Sequence, residues 1–264
     1  MQFSQNYTQT YLQQCKKILD TIAQQENQIH QAANWFAETI LAGRMVHLFG
    51  SGHSRIMVEE MWPRYGSFPG FNPLVELSLT YHNAVVGSNG QRQAMFLENV
   101  MGLAKQILRN FDLSAQDSGL VISNSGTNIV PIEVAQEMKK AGMPVVAIVG
   151  RQHAEESSSK HPDGIKLTDV VDLVLDNGVP AGDSMVMIDQ LDTPVSPGST
   201  VGGSILINSI KAEVAGRLTE AGVPPQVLTA SCLIGSERSS KIFQSAYDEH
   251  AHRLAKLFAR VGTD

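Results

Sequence analysis

The stretch VHLFGSGHSRIMVEE, residues 46–60, passes from an apolar run through two glycines and two serines to adjacent glutamates. VHLF has the length and composition of a buried strand, and from Arg55 onward the pattern is helical. The small residues therefore sit on a strand-to-helix turn. A dinucleotide fingerprint on such a turn needs a third glycine where Arg55 stands, and no acidic residue obviously ends the next strand. A nucleophile elbow needs G-x-S-x-G and a Walker loop needs Gly-Lys-Ser/Thr, and neither order is present. The serines read as ligands rather than nucleophiles.

Further along, the same grammar repeats. Apolar runs at 74–79 (LVELSL), 119–123 (GLVIS), 145–149 (VVAIV) and 171–175 (VDLVL) predict four more buried strands. Helical patterns fall between and after them, at 55–65, 97–110, 129–141, 204–221 and 244–261. Pro131 suits a first helical turn, and Gly142 followed by Pro144 stops that helix. Strand, helix, strand, repeated, gives right-handed parallel crossovers and a sheet covered on both faces, an α/β sandwich. Upstream, Ile18, Ile22, Ile29, Ala33, Phe36 and Ile40 form a helical stripe closed by Gly43. We read residues 1–45 as a helical arm that packs on its own domain or on a partner subunit, and 46–264 as the main domain. Residues 176–203 are dense in Gly, Pro, Asp and Ser, and so long a connection inside a compact domain is usually functional.

Composition bounds the function. The chain has 264 residues, 42% of them apolar and 17% charged, which is ordinary globular composition. A formal net charge of -6 argues against a duplex-binding surface, which needs clustered Lys and Arg. Two cysteines, Cys15 and Cys232, lack metal-ligand spacing and read as free thiols in a reducing compartment. No signal peptide is evident, and no apolar run approaches the roughly 20 residues that span a bilayer. The expectation is a cytoplasmic protein with no membrane and no nucleic-acid partner, no metal and no cofactor.

Three turns carry small hydroxylated residues at the start of a helix: GSGHS (50–54), SNSGTN (123–128) and SPGSTVGG (196–203). Loops at the C-terminal edge of a parallel sheet converge where unpaired N–H groups and the helix dipole favour an anion, and hydroxyls add donors. Together they describe a phosphate site. Ser199 and Thr200 are the hydroxyls of the third turn.

GSGHS after a strand, VISNSGTNIVPIEVA, and STVGGSILINSIKAEVAGRL resemble the sugar isomerase (SIS) domain family over about residues 46–222. The run SSKHPDGIKLTDVVDLVLDNGVPAGD, with DEHAHRL near the C-terminus, is similar to the UPF0309 branch of that family. The likeness to phosphoheptose isomerases is more distant. This resemblance implies a flavodoxin-like, three-layer αβα sandwich with a five-stranded parallel sheet, a phosphorylated sugar as ligand, and a homodimer or homotetramer. It places phosphate hydroxyls on Ser123 and Ser125, with Asn124 between them and the amides of Gly126 and Thr127 completing the cradle. Many members carry a third hydroxyl where this chain has Asn128, and Thr127 is the candidate substitute. Ser54, Ser51 and Gly52 belong to the sugar side, and His53 is a candidate ligand or acid there.

SIS isomerases move a proton between C1 and C2 with a carboxylate, whose pKa must be raised by partial burial. Glu59 and Glu60 are the candidates, five and six residues after Ser54 and about 100° apart around the helix, so one at most faces the pocket. Glu60 is favoured. The glutamate of phosphoheptose isomerases falls at Arg64 here, so its role does not transfer directly. Asp176, Asn177 and Asp183 bracket DNGVPAGD, which reads either as an Asx-rich turn or as a lid whose Asp183 touches sugar hydroxyls. His250 could enter a neighbouring subunit's pocket. His250 and His252, two apart on a helix, point to different faces and do not make a metal pair, and His82 is as readily a plain loop residue. Three functions stay open: an aldose/ketose or amino-sugar phosphate isomerase, a non-catalytic phosphosugar sensor, and an epimerase, lyase or deaminase on the same scaffold.

Overall fold

The computed structural model describes residues 6–80 and 90–258; His82 lies outside them. The chain opens with two helices, α1 (Tyr7–Ala23) and α2 (Glu26–Leu41). There follow β1 (Val46–Gly50), α3 (Arg55–Met61), β2 (Phe71–Leu74), α4 (Gln91–Leu97), α5 (Leu103–Leu108), β3 (Ser118–Ile122), α6 (Ile129–Lys140), β4 (Val145–Val149), α7 (Arg151–Glu156) and β5 (Leu173–Asp176). A short antiparallel pair, β6 (Ser184–Val186) and β7 (Val195–Pro197), precedes α8 (Ser199–Glu220), and α9 (Ser231–Ile234) and α10 (Ser236–Phe258) complete the described chain.

The main sheet is parallel throughout, in the order β2-β1-β3-β4-β5. Alternate residues of each strand face opposite layers, as a period of two requires. Val46, Leu48, Leu120, Ile122, Val146 and Ile148 join one core with α2, α3 and α8, while Phe49, Val121, Val145, Ala147 and Val149 join the other with α5 and α6. Both faces are covered, so this is a three-layer αβα sandwich. Ile18, Ile22, Ile29, Ala33 and Phe36 sit in the first core, which makes α1 and α2 part of one outer layer rather than a projection from it.

Several element boundaries differ from the sequence expectation. The fifth strand is Leu173–Asp176 rather than 171–175, and the last helix begins at Ser236 rather than 244. The second strand is Phe71–Leu74, not 74–79; Leu77–Leu79 is a 3-10 turn with Val75 and Leu77 exposed, and Pro73 is tolerated because β2 is an edge strand. Helix α3 stops at Met61 because Pro63 biases Trp62 to the extended conformation in which it is found. The expected helix 97–110 is broken at Gly102, whose φ of 81° is left-handed. Helix α8 starts at Ser199 rather than 204, so Ser199 and Thr200 are its first residues.

Candidate functional site

Strands β1 and β3 are neighbours, with Gly50 opposite Ile122. The chain leaving β1 enters α3, whose Met57, Val58 and Met61 pack on one face of the sheet; the chain leaving β3 enters α6, whose Val130, Ile132 and Val134 pack on the other. The two loops part company at this point, the topology that leaves a crevice between them in parallel α/β sheets. In open parallel sheets such a reversal of strand order is where ligands bind.

The first wall is GSGHS. A Cβ on Gly50 would lie 2.7 Å from the Ser54 carbonyl oxygen, so the loop closes too tightly there for a side chain. Ser51 is buried, Ser54 makes no side-chain cap to α3, and His53 is exposed.

The second wall is SNSGTN. Gly126 turns the chain with a φ of 62°, and its N–H donates to the Ser123 carbonyl at 3.1 Å and Oγ at 3.3 Å. Thr127 Oγ1 donates to Ser125 Oγ at 3.0 Å. Three links pin the loop from outside: Asn177 Nδ2 donates to Asn124 Oδ1 at 2.9 Å, Gly150 N to the Asn124 carbonyl at 2.9 Å, and Leu167 N to the Gly126 carbonyl at 2.8 Å. Asn128 stands at the N-cap of α6 but makes no side-chain cap; its Oδ1 instead accepts from Lys160 Nζ at 2.6 Å. The helix thus starts without a side-chain cap; Val130 N, among its first N–H groups, donates to the Glu98 carbonyl at 2.9 Å, and a lysine ammonium stands beside it. That arrangement suits an anion.

The third turn is arranged differently. Asp183 Oδ1 accepts from Gly198 N at 3.0 Å and Ser199 N at 2.8 Å, and Ser199 Oγ donates to Asp183 Oδ2 at 2.5 Å. The N-terminus of α8 therefore already holds a carboxylate, and Ser199 is spent on it. Asp183 is the remote cap of a long helix in this structure. Asp176 Oδ1 accepts from Gly178 N at 2.9 Å, as an Asx turn should.

The expected catalytic carboxylates are both ion-paired with arginines. Glu59 is exposed and paired with Arg55 at 2.5 Å. Burial alone would raise the Glu60 carboxyl, but hydrogen bonds from Asn208 and Arg64 and the charges of Arg64 and Lys211 outweigh it and hold the group below its ordinary value. Both line an open groove of about 560 Å³ with Ile56, Arg64, Tyr65 and Phe243, apart from residues 123–128. Beside them Lys211 is buried, which pushes its ammonium down to about 8 against the opposing pull of Glu60. His250 packs on Trp62, with ring centroids 5.3 Å apart, while His252 lines a different groove with Asp248 and Lys256.

Sequence reasoning missed Glu98. It follows the last residue of α4, and Ser51 Oγ donates to its Oε2 at 2.9 Å. Burial pushes this carboxyl above its ordinary value, and the Ser51 hydrogen bond and the Lys160 charge offset that only in part. A continuous helix through 97–110 makes Glu98 one more helical glutamate; Gly102, five residues inside it, was the available signal of a break.

A profile of the SIS domain matches residues 10–150, more than half of the chain. The chain belongs to the SIS domain family. Within it the chain belongs to the UPF0309 group: a UPF0309 protein of Halalkalibacterium halodurans is 31% identical over 247 residues, covering 93% of this chain and 96% of that one. One from Geobacillus kaustophilus is 31% identical over 240 residues, covering 90% and 93%. Among solved structures, this SIS chain is similar to a phosphoheptose isomerase from Francisella tularensis at 16% identity and a TM-score of 0.48, over 79% of this chain and 94% of that one. It is also similar to the Vibrio vulnificus NanR protein complexed with ManNAc-6P, at 14% identity and a TM-score of 0.42, over 79% and 63%. Among the described residues no helix is long and apolar enough to cross a membrane.

Proposed function

We propose that this SIS protein binds a phosphorylated sugar in the β1/β3 crevice and interconverts its aldose and ketose, or amino-sugar, forms by carboxylate-mediated proton transfer. The observation that carries the reading is the start of α6. Its N-cap side chain is turned away to Lys160, and Ser123, Ser125 and Thr127 stand in the loop before it. A dianionic phosphate supplies what that arrangement lacks, since a helix N-terminus, hydroxyl donors and one ammonium all favour negative charge. GSGHS then forms the sugar-side wall, with Ser51, Ser54 and His53 as the groups nearest the hydroxyls.

The ion-paired state of Glu59 and Glu60 favours a second reading, a phosphosugar sensor that binds without turnover. A thermal-shift screen against hexose, hexosamine and heptose phosphates, followed by NMR of each binder for isomerised product, separates the two. Stabilisation by a sugar phosphate, with product formed, supports the isomerase; stabilisation without product supports the sensor. Stabilisation by the free sugar but not by its phosphate would overturn both.

A further inference from the structure

Glu98 joins the two walls of the crevice. Its backbone belongs to the phosphate side, because its carbonyl accepts from Val130 N at 2.9 Å in the first turn of α6. Its side chain belongs to the sugar side, because Oε2 accepts from Ser51 Oγ at 2.9 Å, and Ser51 is itself buried at the end of β1. A carboxylate held from both sides is fixed in place before any ligand arrives, which is what proton transfer at one carbon requires. Lys160, the charged group whose field reaches it, is hydrogen-bonded to Asn128 at the mouth of the anion site. Glu59 and Glu60, by contrast, face their own guanidinium partners.

We propose that Glu98 is the residue that carries the proton in this site, with Ser51 as its positioning residue; the proposal rests on the phosphosugar reading above. For an aldose phosphate, the Glu98 carboxylate takes the proton from C2 as the C–H pair becomes the C1=C2 bond and the carbonyl pair moves onto O1. O1 gains a proton and the 2-hydroxyl loses one as the C2 carbonyl forms, and Glu98 returns its proton to C1. Atoms and charge balance within the substrate, and no oxidant or co-reactant is consumed. Burial suits the role, since it raises the basicity of the carboxylate.

The test uses fructose 6-phosphate, glucosamine 6-phosphate and sedoheptulose 7-phosphate as probes. Binding is read by thermal shift, and proton transfer by NMR of exchange between the C1 or C2 hydrogen and deuterated water. Glu98→Gln should keep the thermal shift and lose exchange by about 100-fold or more, the lower range for removing a general base. Ser51→Ala should slow exchange less than Glu98→Gln does and move the acidic limb of its pH profile upward, because a hydrogen bond favouring the carboxylate is gone while Lys160 is unchanged. If Glu98→Gln fails to fold, Glu98→Asp keeps the charge and must still slow exchange without weakening binding. Exchange by Glu98→Gln equal to that of the unaltered protein would overturn the proposal, as would an unaltered protein that binds a probe and exchanges none. If no probe binds, the phosphosugar reading itself fails and this proposal goes with it.

Discussion

The resemblance of SNSGTN to the SIS family made Ser123 and Ser125 the expected phosphate hydroxyls, and their proposed role is tested by mutation. The structure places both in the loop before the uncapped helix, with Thr127 bonded to Ser125. Ser123→Ala with Ser125→Ala should therefore weaken phosphosugar binding by roughly 100-fold or more while leaving the melting temperature near its original value, since hydrogen bonds to a charged group contribute about 1.5–3 kcal/mol each. Calorimetric titration with the best probe checks this, and unchanged affinity would move the phosphate elsewhere. Lys160→Met reaches two groups at once. It removes an ammonium beside the anion site and the charge that holds down the Glu98 carboxyl. Without that charge the Glu98 pKa rises further, so the base form needs a higher pH and the acidic limb of kcat/KM should shift upward. A limb that stays in place would separate Lys160 from Glu98. Neither residue was readable beforehand, because a lone Glu or Lys in a polar stretch acquires its meaning only from what the fold brings beside it.

At the scale of elements, the strands read well where burial on both faces produced continuous apolar runs, as at VVAIV. They read poorly at the edge, where LVELSL proved to be the end of a strand and a 3-10 turn. The start of α8 shows why caps are hard to see. Its partner Asp183 lies 16 residues away from Ser199 in the chain, and sequence rules look for a cap next to the helix. Asp183→Ala should destabilise the protein by about 1–2 kcal/mol, the usual effect of losing an N-cap, measured by urea unfolding. A cap gives the same loss with and without a saturating sugar phosphate, after allowing for the ligand's own stabilisation. A lid residue would instead weaken binding and leave the unliganded protein unchanged.

Across the whole molecule, the sheet separates function from anchorage. The proposed ligand loops occupy the C-terminal ends of β1 and β3, and a buried ionic network occupies the other end. There the Arg44 guanidinium donates to both oxygens of Asp117, at 2.9 and 2.6 Å, and Ser114 N donates to the same carboxylate at 2.9 Å. His47 Nε2 stands 3.6 Å from Asp117, while its Nδ1 is hydrogen-bonded to Asn72 at 2.9 Å. This network ties the entrance of β1 to the entrances of β2 and β3, and VHLF gave no hint of it because its histidine sits in an otherwise apolar run. Burial would raise the Asp117 carboxyl, but the neighbouring His47 imidazole, the Arg44 hydrogen bonds and charge and the Ser114 amide lower it from 3.8 to about 2. A carboxylate depressed in the folded state stabilises the protein fully above its unfolded value, and that contribution disappears as pH falls from about 3.8 through about 2. The difference corresponds to roughly 2 kcal/mol. Asp117→Asn should cost more, about 3 kcal/mol, since it leaves the Arg44 charge without its partner in a buried setting. The variant should also lose part of the acid dependence of unfolding below pH 4. Because the network lies at the opposite end of the strands from residues 123–128, sugar-phosphate affinity should be unaltered at neutral pH. An Asp117→Asn protein as stable as the original, or with its acid transition unmoved, would show that the network does not anchor the sheet.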